Sequence, residues 1–159
     1  VGLIATAASV RSGADERTIA GLDGDITVIS KACPLFVPLV ENGRFRPGDT
    51  VIETVAREYL EPLRDTGIDT LIMGCTHYPL LAEVIGGIMG PDVTLVDSGA
   101  EAARSLKRQL TERELLADRR GGEMTLYASD RPEDFGALAG MFLGQPLQGA
   151  VRPVDIEKY

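Results

Sequence analysis

The chain has 159 residues, enough for one ordinary domain with a real core, and a formal net charge of −8 at pH 7. This acidic balance argues against binding to the phosphate backbone of nucleic acids. No stretch of the sequence is long and apolar enough to span a bilayer. One histidine and two cysteines, without paired spacing, do not make a metal ligand set.

Short apolar runs alternate with helical spacings along the chain. Strands are predicted at residues 1–6, 26–30, 70–73, 93–96, 124–128 and 151–156. Helices are predicted between them at about residues 15–22, 49–64, 78–88, 99–116 and 132–142. In the second helix an apolar residue recurs about every four positions, at Val51, Val55, Tyr59 and Leu63. This alternation predicts an α/β fold of parallel sheets with helices on both faces.

A cysteine follows the most clearly buried of these strands. Residues 71–77 read Leu-Ile-Met-Gly-Cys-Thr-His, so Cys75 is expected at the carboxyl edge of the sheet, near a helix N-terminus. Such a position favours thiolate over thiol, and a neighbouring histidine can exchange protons with the sulfur. Cys75 could therefore act as a base or a nucleophile. The alternative is that it is only a small buried hydrophobic residue.

Several blocks of the sequence resemble one enzyme family. Residues 74–81, Gly-Cys-Thr-His-Tyr-Pro-Leu-Leu, closely resemble the segment around the second catalytic cysteine of glutamate racemases. Residues 32–41 and 95–98 resemble two further blocks of that family, in the same order and at similar intervals. Residues 1–15 resemble the strand and turn that open the family's second domain, although Ser9 stands where threonine is usual and Asp15 where an aromatic residue is common.

The resemblance implies a reaction and a set of roles. Glutamate racemases interconvert L- and D-glutamate without pyridoxal phosphate or metal, so no cofactor is expected, and they supply D-glutamate for peptidoglycan. Two cysteines transfer protons on opposite faces of the substrate carbanion. Cys75 corresponds to the one that acts on L-glutamate, with His77 as its proton-transfer partner and Glu41 placed to orient His77. Thr76 would help to hold the substrate.

Some of these residues have an ordinary structural alternative. Thr6 and Ser9 match the family's substrate-contacting block, but threonine and serine also cap helices. Glu41 could instead cap a turn or face water, and His77 could simply help to start a helix. Cys33 matches a family cysteine that is not one of the two proton-transfer thiols, so a packing role is expected for it.

The resemblance also predicts how the chain is organised. Known glutamate racemases are markedly longer, and the match begins mid-family, so the chain is expected to be a carboxyl-terminal portion without the first catalytic cysteine. Residues 1–96 would form the second domain, and residues 97–159 would complete the first. Exposed apolar faces would then favour a homo-oligomer or exchange of elements between chains. Reduced-thiol chemistry and the family both imply a cytoplasmic location.

Two other functions remain open from the sequence. A related aspartate-type racemase is the first, although such relatives resemble Gly-Cys-Thr-Glu at this site, so that His77 favours glutamate. The second is a non-catalytic binding or interaction fragment, because the chain carries only one of the two catalytic thiols. For the same reason the isolated chain is expected to be inactive in racemisation.

Overall fold

A computed structural model describes residues 1–118, 121, 124–147 and 149–158. The chain divides into two compact units, Val1–Leu115 and Leu116–Tyr159. The first unit contains four strands: β1 (Gly2–Ala5), β2 (Ile29–Ala32), β3 (Thr70–Met73) and β4 (Thr94–Asp97). Its helices are α1 (Ala7–Ser12), α2 (Ala14–Leu22), α3 (Phe36–Glu41), α4 (Thr50–Arg64), α5 (Ala82–Met89) and α6 (Ser98–Glu112). A 3₁₀ turn, Tyr78–Leu81, precedes α5.

The four strands form one parallel sheet in the order β2-β1-β3-β4. Ile4 lies opposite Lys31 on one side and Met73 on the other, and Met73 lies opposite Asp97. The carboxyl ends of all four strands therefore meet at one edge. Loops that follow parallel strands at this edge are where an α/β fold usually places its chemistry.

Helices cover both faces of this sheet, as the sequence predicted. On one face Ile4, Leu71 and Met73 are buried in a core that they share with side chains of α3, α4 and α5. On the other face a cleft of about 270 Å³ is lined by Leu3 and Ile72 of the sheet together with Ile19 of α2. Alternate residues of the two central strands thus point to opposite layers, which explains why β1 and β3 are almost continuously apolar.

Polar caps fix where several helices begin. The Thr6 side chain accepts a hydrogen bond from the Ser9 amide at the start of α1. Asp49 accepts from the Val51 amide at the start of α4, and Asp97 accepts from the first amides of α6. Gly13, with φ of 60°, lets the chain break between α1 and α2 in the left-handed region that favours glycine.

The structure corrects three details of the predicted elements. Two predicted core residues of α4, Tyr59 and Leu63, are buried, whereas Val51 is 43% exposed. The other buried residues of this helix are Ile52, Ala56 and Leu60. Residues 78–81 form a 3₁₀ turn, because the Tyr78 and Leu80 amides donate to carbonyls three residues earlier. The helix predicted to reach residue 116 ends at Glu112, since Glu114 turns left-handed and the Leu115 amide bonds back to Leu110.

The second unit is a small strand-helix-strand arrangement. Strand β5 (Tyr127–Ala128) pairs in parallel with β6 (Arg152–Pro153), and α7 (Pro132–Leu143) lies between them in sequence. Both strands are shorter than predicted. A 3₁₀ turn, Ile156–Lys158, follows them.

The two compact units divide after Leu115, within the carboxyl-terminal segment 97–159. Helix α6 stays with the first unit, because Asp97 both ends β4 and caps α6, and the Ser98 hydroxyl donates to the Met73 carbonyl at 3.1 Å. That residues 97–159 complete another domain in a longer protein stays a prediction. In the described ranges no helix is long and apolar enough to cross a membrane.

Candidate active site

The turn after β3 passes close to the neighbouring strand β1 at Gly74. The Gly74 amide donates to the Ile4 carbonyl of that strand at 2.8 Å. A Cβ atom on residue 74 would lie 2.9 Å from Leu3 Cδ1 and 3.0 Å from the Ile4 carbonyl oxygen, so a side chain there would require these neighbours to shift. The close approach of β1 and the turn therefore favours glycine at this position. It places Cys75 directly beyond the carboxyl edge of the sheet.

Three predicted site residues form a connected chain of contacts. The Cys75 Sγ atom lies 3.9 Å from His77 Nδ1, and His77 Nε2 lies 3.2 Å from Glu41 Oε1. The side chain of His77 is 20% exposed and that of Glu41 is 43% exposed. Glu41 comes from the end of α3 and is 36 residues away from His77 in sequence. The structure therefore brings these groups together from the end of α3 and from the turn after β3.

The direction of the histidine hydrogen bond follows from its partner. An ionised carboxylate can only accept, so in the neutral imidazole facing Glu41 the hydrogen is on Nε2. Nδ1 is then left as the acceptor, and it faces both the Cys75 thiol and the Thr76 hydroxyl, whose oxygen is 3.3 Å away. In this tautomer His77 can receive a proton from Cys75.

The structure corrects the start of the α-helix after Cys75. The sequence predicts a helix from residue 78, with Cys75 near its N-terminus. Residues 78–81 form a 3₁₀ turn, and the α-helix begins at Ala82. The His77 side chain, with Nδ1 3.9 Å from the Cys75 sulfur, is placed to exchange a proton with this thiol.

Thr6, the N-cap of α1, and Ser9, in the first turn of α1, follow β1 at the same edge of the sheet. Their hydroxyl oxygens are 3.0 Å apart, and the Thr6 hydroxyl caps α1. The structural alternative for Thr6 is therefore present in the fold. Contact of either hydroxyl with substrate stays a prediction.

Cys33 lies in a different environment from Cys75. Cys33 is completely buried, and this burial raises the pKa of its thiol to about 12 despite the nearby positive charge of Lys31. Its sulfur lies 3.7 Å from the Lys31 carbonyl oxygen. Cys33 is a packing residue, and both cysteines are free thiols.

Sequence reasoning missed two residues that support the Cys75 turn. Ser98 donates from α6 to the carbonyl of Met73, the last residue of β3. Tyr78 is fully buried, and its hydroxyl donates to the Cys33 carbonyl at 3.0 Å. Both lie in the family-like blocks, but nothing in their spacing indicated these hydrogen bonds. In the part of the chain that the structure describes, no group of three or more histidine, cysteine or acidic residues could hold a metal ion.

Comparison with known proteins shows one consistent relationship. No protein-family model matches the chain. It is 44% identical over 153 residues to the glutamate racemase of Desulforudis audaxviator strain MP104C, an alignment that covers 91% of this chain and 55% of that protein. Glutamate racemase from Francisella tularensis, solved in complex with D-glutamate, matches with a TM-score of 0.87 and 36% identity over 99% of this chain and 58% of that one.

A second solved structure agrees. Glutamate racemase from Thermus thermophilus, in complex with β-chloro-D-alanine, has a TM-score of 0.82 and 42% identity over 99% of this chain and 57% of that one. The resemblance predicted from residues 74–81 and the other blocks is thus confirmed, as is the parallel α/β fold. By sequence and by fold, the chain is related to the glutamate racemases, of which it spans a little more than half the length.

Proposed function

We propose that the chain carries one half of a glutamate racemase active site, with Cys75 as the base on one face of the substrate. Inversion at the α-carbon passes through a planar carbanion, so one group must remove the proton and another must return a proton from the opposite side. A single base can only restore the starting isomer. The continuous contact from Cys75 through His77 to Glu41 is the observation that supports this proposal.

Each group in this contact chain has a defined task. Nδ1 of His77 accepts the Cys75 proton, and the resulting thiolate takes the α-proton of L-glutamate, so that the electron pair of the C–H bond stays on the α-carbon. The negative Glu41 carboxylate stabilises the imidazolium that forms. The reverse transfer from Cys75 reprotonates the carbanion on the same face. Thr76, with Thr6 and Ser9, would hold the substrate through hydroxyl or backbone groups.

The remaining parts of the proposal concern the whole protein. The chain spans 55–58% of the relatives compared above, and the opposite-face base would belong to sequence outside it. The D-glutamate produced would serve peptidoglycan, and the reduced thiols favour the cytoplasm. Self-association of the chain also stays a proposal. It is supported by α6, every residue of which is half-buried or exposed, with Leu106 at 57%.

The proposed substrate can be tested by protection of Cys75 from alkylation. We expect L-glutamate to slow the reaction of Cys75 with iodoacetamide, as followed by mass spectrometry. L-Aspartate, shorter by one methylene, should require roughly tenfold higher concentration for the same protection. Cys33 is an internal control, because its buried thiol should stay unmodified in the folded chain.

Each outcome of the protection experiment has a clear meaning. Stronger protection by aspartate would replace the proposal with an aspartate-type racemase. No protection by either amino acid would count against substrate binding by this chain and would favour a non-catalytic role.

A further inference from the structure

Tyr78 attaches the turn that carries Cys75 to the loop that leads to Glu41. Its amide donates to the Cys75 carbonyl at 3.1 Å, so the backbone folds back on the cysteine. Its hydroxyl donates to the Cys33 carbonyl at 3.0 Å across 45 residues of sequence. The side chain is completely buried. One residue thus joins the segments that follow β2 and β3.

The ring of Tyr78 makes a second connection to the same loop. It packs edge-on against Phe36, with centroids 5.2 Å apart and an interplanar angle of 88°. Phe36 is the first residue of α3, and its amide also donates to the Cys33 carbonyl, at 3.3 Å. Because α3 ends at Glu41, the position of Tyr78 influences where the Glu41 carboxylate lies.

His77 immediately precedes Tyr78, so the same contacts fix both partners of the histidine–carboxylate pair. We propose that Tyr78 is a positioning residue, which holds His77 Nε2 against Glu41 and thereby selects the tautomer in which the unprotonated Nδ1 faces Cys75. Only the catalytic role of that tautomer rests on the proposed function. Burial also raises the pKa of Tyr78, so its hydroxyl remains a hydrogen-bond donor throughout the neutral range.

The test is the tautomer of His77 measured by ¹⁵N NMR in Tyr78→Phe. His77 is the single histidine of the chain, so its two ring nitrogens can be assigned without ambiguity. The substitution keeps the ring and removes only the hydroxyl. In the neutral imidazole, the ratio of Nε2-protonated to Nδ1-protonated tautomer should fall by roughly fivefold, which is the effect of one ordinary hydrogen bond.

Two further variants make the result specific. Phe36→Leu keeps the Tyr78 hydroxyl but weakens the ring contact that holds α3, and it should shift the ratio in the same direction. Ile88→Val removes one buried methylene from α5, and it should lower stability without changing the ratio. In a Glu41→Gln background, Tyr78→Phe should have little further effect, because the carboxylate that selects the tautomer is gone.

An unchanged ratio in folded Tyr78→Phe, or an equal change in Ile88→Val, would overturn the inference. These NMR measurements of the His77 tautomer do not require glutamate to bind. If the tautomer responds to Tyr78 as expected but glutamate fails to protect Cys75, the positioning role stands and only the proposed function falls.

Discussion

Replacing Phe36 with alanine is expected to lower the free energy of unfolding of the first unit by about 3–5 kcal/mol. Phe36 is completely buried and lies between two tyrosines, with its ring edge-on to Tyr59 of α4 and to Tyr78 of the 3₁₀ turn. Its removal leaves a cavity where α3, α4 and the Cys75 turn meet, and it loses aromatic contacts beyond the buried area. The change can be measured by chemical denaturation followed by circular dichroism.

The neighbouring residue provides a matched control. Leu35 is 48% exposed, so Leu35→Ala should change the free energy of unfolding by no more than about 0.5 kcal/mol. A loss of less than about 1 kcal/mol in Phe36→Ala would mean that the aromatic cluster does not hold α3 against the turn. It would also remove the structural basis for the contact between Glu41 and His77.

His77→Asn is expected to slow the alkylation of Cys75 by iodoacetamide roughly tenfold or more at neutral pH, because the thiolate is the reactive form. His77 Nδ1 lies 3.9 Å from the sulfur and is the group placed to receive its proton. Asparagine keeps a polar side chain but cannot act as this base. Rates can be followed at Cys75 by mass spectrometry, with Cys33 in the same molecule as the unreactive reference.

Two carboxylate variants distinguish the effect of the Glu41–His77 pair from the effect of removing any negative charge. Glu41→Gln should give a smaller fall, because it removes the charge that stabilises the imidazolium but leaves the base in place. Glu61→Gln removes a carboxylate that pairs with Arg57 on the exposed surface of α4, and it should leave the rate unchanged. An unaltered rate in His77→Asn would show that the histidine does not activate this thiol.

The two central strands of the sheet could be predicted best from the sequence, because they are the most buried and most apolar. Strand β3 was predicted with its exact bounds, since Thr70–Met73 is a short apolar run between a loop and a glycine. Strand β2 begins three residues later than predicted, at Ile29. The earlier apolar residue, Ile26, is 38% exposed and lies in the loop before the strand.

Helix α3 was missed because its sequence does not look helical. It contains Pro38, and Leu35 at its N-cap position makes no side-chain cap. Proline is tolerated in the first turn of a helix, where its missing N–H would have no partner within the helix. Burial of Phe36 and Val40 stabilises these six residues, and such tertiary contacts cannot be read from local spacing.

The sequence pattern predicts the place of Cys75 and His77, whereas Glu41 is indicated only by the family resemblance. Cys75, Thr76 and His77 are adjacent in sequence, whereas Glu41 is far away and reaches His77 only through the parallel order of β2, β1 and β3. Only the resemblance of residues 32–41 to a family block points to Glu41. The hydrogen bond from Tyr78 to Cys33 had no such signal, because a buried tyrosine at a helix start looks like an ordinary core residue.

The most direct measurement of the central claim is α-proton exchange of L- and D-glutamate in heavy water, followed by NMR with the purified chain and with Cys75→Ser. Exchange from L-glutamate alone, abolished in Cys75→Ser and without formation of D-glutamate, is the predicted result. It would mean that Cys75 works on one face and that the opposite base is absent. Exchange that survives Cys75→Ser, D-glutamate formed by the chain alone, or no exchange from either isomer would contradict the claim that these residues form a working half-site.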